Sequence, residues 1–245
     1  MTTRTHQAKR SRVSSGASNR AIVFLTNGSN LASSAIRDNL HKLSPERQNQ
    51  IEHHALYVLR DKRLRRNASL RNGAVRLVVG LLPKTFAVLE KLLSDFSSPL
   101  WYEVQFTLFS ALDRDDLSEN EQRRVLALIE NYLMTVTSGA GYAAWKAGDL
   151  LGDEWNSLET VQILARILFS SKNVAGRRAA LHGMEHAIKK ARPSETERLF
   201  SLIRKVASGD RSAKVRKLAS LTLAGVGCHH LSANKTSSLP QSSQA

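Results

Sequence analysis

The chain has 245 residues, 42% hydrophobic and 23% charged, which supports a folded core and excludes a chain disordered throughout. Lys and Arg total 36 against 21 Asp and Glu, a formal net charge of +15 that points to an anionic partner such as nucleic acid or an acidic protein. A single cysteine excludes an intrachain disulfide framework and any multi-cysteine zinc site. The longest uncharged runs, Asn131 to Trp145 and Leu218 to Asn234, fall short of a membrane span.

In chain order, residues 1–29 read as a disordered basic arm. Arg4, Lys9, Arg10, Arg12 and Arg20 lie among Ser and Thr without one acid in the first twenty residues. The apolar run Ala21 to Leu25 is too short for a secretory signal, so a cytoplasmic location is expected. The charge is uneven: residues 1–73 carry 14 basic and 4 acidic side chains, 74–173 carry 9 and 13, and 174–227 carry 12 and 4. Two basic ends flank an acidic middle that includes Asp113, Asp115, Asp116, Glu119 and Glu121.

Between residues 30 and 227 the apolar spacing predicts about ten helices and no strand. Val125, Leu128, Ile129, Tyr132, Leu133 and Val136 recur at helical intervals, as do Val161, Leu164, Ala165 and Leu168, and Leu199, Leu202, Ile203 and Val206. Ser44-Pro45 and Ser98-Pro99 read as helix starts, and Ser118-x-x-Glu121 and Ser194-x-x-Glu197 as capping boxes. Residues 228–245 read as a disordered Ser/Gln-rich tail.

The stretches beginning at Val104, Ala143, Gly176 and Val215 align at spacings of 39, 33 and 39. Leu108, Ala147, Ala180 and Ala219 then coincide, as do Leu112, Leu151, Met184 and Leu223, and a less regular unit starts near Val75. AAWKAGDLLGD (Ala143 to Asp153), GRRAALHGM (Gly176 to Met184) and VRKLASLTLAGVG (Val215 to Gly227) resemble the first helices of HEAT-type repeats. That resemblance implies an all-α, armadillo-like fold: a right-handed α-solenoid of about four to five helical hairpins over residues 30–227, with residues 30–70 as N-terminal capping helices.

The densest basic cluster comprises Arg60, Lys62, Arg63, Arg65 and Arg66. A second candidate strip holds Arg177, Arg178, Arg216 and Lys217, in which Arg177 and Arg216 stand one local period of 39 apart. Both are candidate anion-binding sites, although repeat arginines also serve to bridge neighbouring hairpins. Trp145-x-x-x-Asp149 places an indole and a carboxylate on one helix face. It resembles the arrangement in HEAT-like alkylpurine DNA glycosylases. On that resemblance Trp145 contacts the lesion, Asp149 stabilises charge on the departing sugar, and Arg177 or Arg178 holds the backbone.

His182-Gly183-Met184-Glu185-His186 matches H-x-x-E-H, yet zincin-type sites take a further ligand well downstream. After Glu197 the only acid is Asp210. The helical pattern also puts both histidines outside the core, so no metal site is expected. Gly139-x-Gly141-x-x-Ala144 matches G-x-G-x-x-A but follows a helical pattern where a dinucleotide site needs a strand, and no cofactor is expected. The expected function is a noncatalytic scaffold for an anionic macromolecule, nucleic acid slightly ahead of an acidic protein. A HEAT-like glycosylase acting on alkylated bases is the alternative.

Overall fold

The computed structural model describes residues 33–96, 99–137 and 141–236; the expected basic arm, Ser98 and the end of the tail lie outside them. The described residues form eleven α-helices and no strand. They are α1 (Ser33–His41), α2 (Pro45–Arg60), α3 (Ala68–Gly80), α4 (Phe86–Ser94), α5 (Pro99–Ala111), α6 (Glu119–Thr135), α7 (Gly141–Asp149), α8 (Leu158–Ser170), α9 (Val174–Lys190), α10 (Pro193–Gly209) and α11 (Ala213–Thr236). A 3-10 turn spans Leu64–Arg66, and a π-helical segment, Leu150–Glu154, continues α7. No described helix is long and apolar enough to cross a membrane.

Local chemistry sets most helix starts. Ser44 caps α2 by accepting the Arg47 amide, with Pro45 in the first turn. Glu121 reaches back to the Ser118 amide at 2.6 Å. The expected box at Ser194 and Glu197 does not form. Pro193 opens α10 with its φ already helical, so the start falls earlier: Arg192 is the N-cap, its amide donates to Glu195, and Glu197 pairs with Arg204.

The fold divides into two compact units between Ile129 and Glu130, within α6. In the first, α3 is central and packs against α1, α2, α4 and α5. Ala74, Val75, Leu77 and Val78 are wholly buried. Buried Gln105 on α5 donates to the Leu92 and Asp95 carbonyls at the end of α4, satisfying groups that would be costly to leave unpaired.

In the second unit α9 is central and packs against α7, α8, α10 and α11. Contacts run from α7 to α9 to α11 and from α8 to α10, so alternate helices meet. The aligned positions are the ones that face inward: Ala143, Ala147 and Leu151, then Gly176, Ala180 and Met184, then Val215 and Ala219 are all buried. Leu223 is half-buried. Val104, Leu108 and Leu112 occupy the equivalent buried positions in the first unit.

Candidate functional site

The first turns of α7, α9 and α11 line an open groove of about 810 Å³ in the second unit. Its lining comes from Gly141, Tyr142 and Trp145 on α7, from Val174, Ala175 and Arg178 on α9, and from Ser212, Ala213 and Lys214 at the start of α11; none of the described lining residues is acidic. Tyr142 is 86% exposed, and Arg178 and Lys214 are exposed beside it. The Arg178 guanidinium lies 5.9 Å from the centre of the Trp145 ring, in cation–π range. Asn173, the N-cap of α9, makes no side-chain capping bond there. Helix starts present N–H groups and the positive end of the macrodipole, so three of them beside two cations favour an anion.

These residues are brought together by register. With Ala143, Gly176 and Val215 aligned, Tyr142, Ala175 and Lys214 stand at one position, and Trp145, Arg178 and Lys217 at another. Packing α7 on α9 on α11 sets equivalent positions side by side, which is why Arg178 meets Trp145.

A second cluster lies behind the groove. Asp149, at the end of α7, is register-equivalent to His182 on α9, and the two meet with His182 Nε2 2.6 Å from Asp149 Oδ1. His186, one turn further along α9, brings Nε2 to 3.4 Å from the same oxygen. The Trp145 indole stacks on His182 with ring centres 4.0 Å apart, and His186 meets His182 edge-on at 4.7 Å. Asp149 Oδ1 is buried, and at 2.6 Å His182 is within hydrogen-bond reach of it but poorly aligned, while His186 at 3.4 Å makes no bond to it. Burial holds His182 below the ordinary histidine range; the Asp149 carboxylate pulls upward, His186 pushes further down, and the net shift is downward.

The cause of this close approach is glycine. A Cβ on Gly183 would lie 2.5 Å from the Gly148 carbonyl oxygen, and Gly148 and Gly152 are likewise pressed against the α9 backbone at Ala179 and Gly183. Only residues without Cβ let α7 and α9 come this near, and Asp149 and His182 are the chain neighbours of Gly148 and Gly183. The π-helical turn follows at once, with the Trp155 amide bonded to the Leu150 carbonyl at 2.8 Å, a wide turn of a kind often found beside functional residues.

Of the four residues suggested by the glycosylase resemblance, Trp145 and Arg178 line the groove, while Asp149 is not on its lining and sits against two imidazoles. Arg177 points elsewhere. It is 2% exposed, its Nε and Nη2 pair with both Asp210 oxygens at 2.7 and 3.0 Å, and its Nη1 donates to the Ser171 carbonyl. Arg216, one period on, donates to the Asp210 backbone carbonyl at 2.6 Å. The two aligned arginines therefore converge on the α10–α11 connection as a bridge, and Lys217 remains exposed.

The Arg60–Arg66 cluster ends α2 in the first unit. Arg60, Lys62, Arg63 and Arg66 are exposed. Arg65 is buried, donates to the Leu59 carbonyl and lies 4.6 Å over the Trp101 ring, so its charge is committed to packing. Asp61 accepts the Arg63 and Leu64 amides, which holds its carboxyl below the usual range. The glycines of the G-x-G-x-x-A run do not follow a strand: α6 ends at Thr135, Gly139 lies outside the described residues, and Gly141 opens α7.

The sequence pattern does not reveal the His182, His186 and Asp149 cluster, because zincin-type spacing places the third ligand downstream of the histidines whereas Asp149 lies upstream. The equal register of Asp149 and His182 was the available signal. No family model, curated protein or solved structure matches this chain.

Proposed function

We propose that this chain is a HEAT-like helical repeat protein whose α7–α9–α11 groove binds single-stranded or unpaired nucleic acid. The observation that carries the reading is the acid-free groove, which joins three helix starts, two exposed cations and two aromatic rings. Phosphates suit the helix starts with Arg178 and Lys214, and Tyr142 and Trp145 offer surfaces on which bases stack. The overall charge of +15 and the exposed Arg60, Lys62, Arg63 and Arg66 add long-range attraction. The right-handed solenoid, the capping role of the first helices, the basic arm and the cytoplasmic location belong to the same reading, which is noncatalytic. The seclusion of Asp149 from the groove lining argues against base excision as its chemistry.

Fluorescence anisotropy with a labelled single-stranded oligonucleotide tests it. Stacking contributes about 1–3 kcal/mol per base, so Tyr142→Ala should weaken binding roughly 5- to 150-fold. Arg178→Ala should also weaken it and lower the slope of log affinity against log salt by about 1. Undetectable binding at low salt overturns the reading. So does unchanged affinity in both variants, which would leave only diffuse attraction by the basic arm.

A further inference from the structure

We propose that Asp149, His182 and His186 form a binding site for a divalent first-row transition metal, zinc or ferrous iron, directly behind the Trp145 wall of the groove. One ligand atom from each lies within 4.8 Å of the others, and Nε2 of both imidazoles approaches the same carboxylate oxygen. Ligands at about 2.1 Å around a tetrahedral ion stand about 3.4 Å apart. The His186–Asp149 separation is 3.4 Å, and the His182–Asp149 separation of 2.6 Å has to open by a rotamer adjustment of under an ångström.

A hydrogen bond or ion pair between His182 and Asp149 accounts for one contact of the trio but not for His186, whose Nε2 turns to the same buried oxygen without bonding to it. Three donor atoms from two helices that converge on a common point are arranged as metal ligands are. The donor set selects the metal class, since imidazoles suit zinc and iron whereas magnesium and calcium take oxygen cages. Ring orientation is fixed from outside as well. Trp145 stacks on His182, and the glycine contact between α7 and α9 prevents the carboxylate from withdrawing. Three acidic neighbours are already paired, Glu185 with Lys189, Asp153 with Lys190 and Glu154 with Lys146, and the Trp145 ring stands between His182 and Arg178. Three protein ligands leave a coordination position for water or for a phosphate oxygen, as in catalytic rather than structural zinc sites.

The test uses the full chain stripped with a chelator and contains no nucleic acid, so it stands or falls apart from the groove reading. Calorimetric titration with Zn2+, and with Fe2+ under anaerobic conditions, should show one equivalent of either ion bound, zinc in the micromolar range or tighter and iron more weakly, as the general affinity order of divalent ions requires. Mg2+ and Ca2+ should not compete. Asp149→Asn and His186→Gln should each weaken binding by about 100-fold or more, beyond the 10- to 100-fold typical of outer-shell losses, while a chain with His53→Gln and His54→Gln binds normally. Helical circular dichroism checks that each variant is folded. Should one unfold, long-range 15N NMR of the unsubstituted chain decides, with zinc expected to shift Nε2 of two of the eight histidines, His182 and His186. Absence of one-equivalent binding overturns the proposal, as do full affinity in the folded variants, equal binding of Mg2+, and shifts at another pair of imidazoles.

Discussion

Gly183 is where fold and candidate site share one contact, and Gly183→Ala perturbs both. The added Cβ would lie 2.5 Å from the Gly148 carbonyl oxygen and 3.0 Å from Leu164 Cδ2. The leucine end can turn aside, but the carbonyl belongs to the α7 backbone, so α7 and α9 must separate. Overpacking of this kind costs about 1–3 kcal/mol. Replacing glycine by alanine within a helix returns about 0.5–1 kcal/mol. The net expectation is a loss of up to about 2.5 kcal/mol, which for a chain of this size lowers the thermal midpoint by up to about 10 °C. Gly209, the last residue of α10, has nothing within 4 Å of an added Cβ, so Gly209→Ala should be neutral or stabilising by about 0.4–1 kcal/mol. Urea unfolding followed by circular dichroism measures both. The same stability in Gly183→Ala as in Gly209→Ala would refute the claim that a glycine-limited approach holds α7 and α9 together. The parting helices should also carry Asp149 away from His182, so metal affinity should fall with stability.

Adjacent residues Arg177 and Arg178 should separate stability from binding. Arg177→Ala leaves the largely covered Asp210 carboxylate with the Ser212 amide but without its charged partner and should cost about 3–5 kcal/mol in denaturant unfolding. Exposed Arg178→Ala should stay within about 0.5 kcal/mol of the parent yet lose oligonucleotide affinity. Burial alone would raise the Asp210 pKa, but the Arg177 side chain and the Ser212 amide outweigh it and hold the carboxyl below its ordinary value. Its stabilisation is therefore present above the unfolded carboxylate value of about 3.9 and is lost as pH falls through the lower folded value. Stability-against-pH curves should flatten in Asp210→Asn over that acid range. Asp116 is the opposite case: burial, then Asp113, Asp38 and Asp115 against the opposing pull of Arg37, raise its pKa. Asp116→Asn should stabilise the chain at neutral pH and lose that advantage in acid, as paired thermal melts at pH 7 and pH 3 would show.

Helical periodicity, capping residues and the spacing of Ala143, Gly176 and Val215 were enough to read an all-helical chain and the inward faces of its helices. Those properties depend on neighbours along the chain and on burial of the apolar face. The same register held the groove in outline, since Tyr142 with Lys214 and Trp145 with Arg178 are equivalent positions. Tertiary structure decided the fate of individual charges. Arg65 and Arg177 read as members of basic clusters, but each is buried against carbonyls, an aromatic ring or a carboxylate, because long side chains at helix junctions are drawn to unsatisfied backbone groups. It also decided the histidine cluster. The H-x-x-E-H spacing supplied two imidazoles on one face of α9, but the third group came from another helix, 33 residues before His182. Whether a carboxylate and an imidazole on separate helices touch depends on interhelical distance, and here that distance is set by glycines whose effect appears only when two backbones meet.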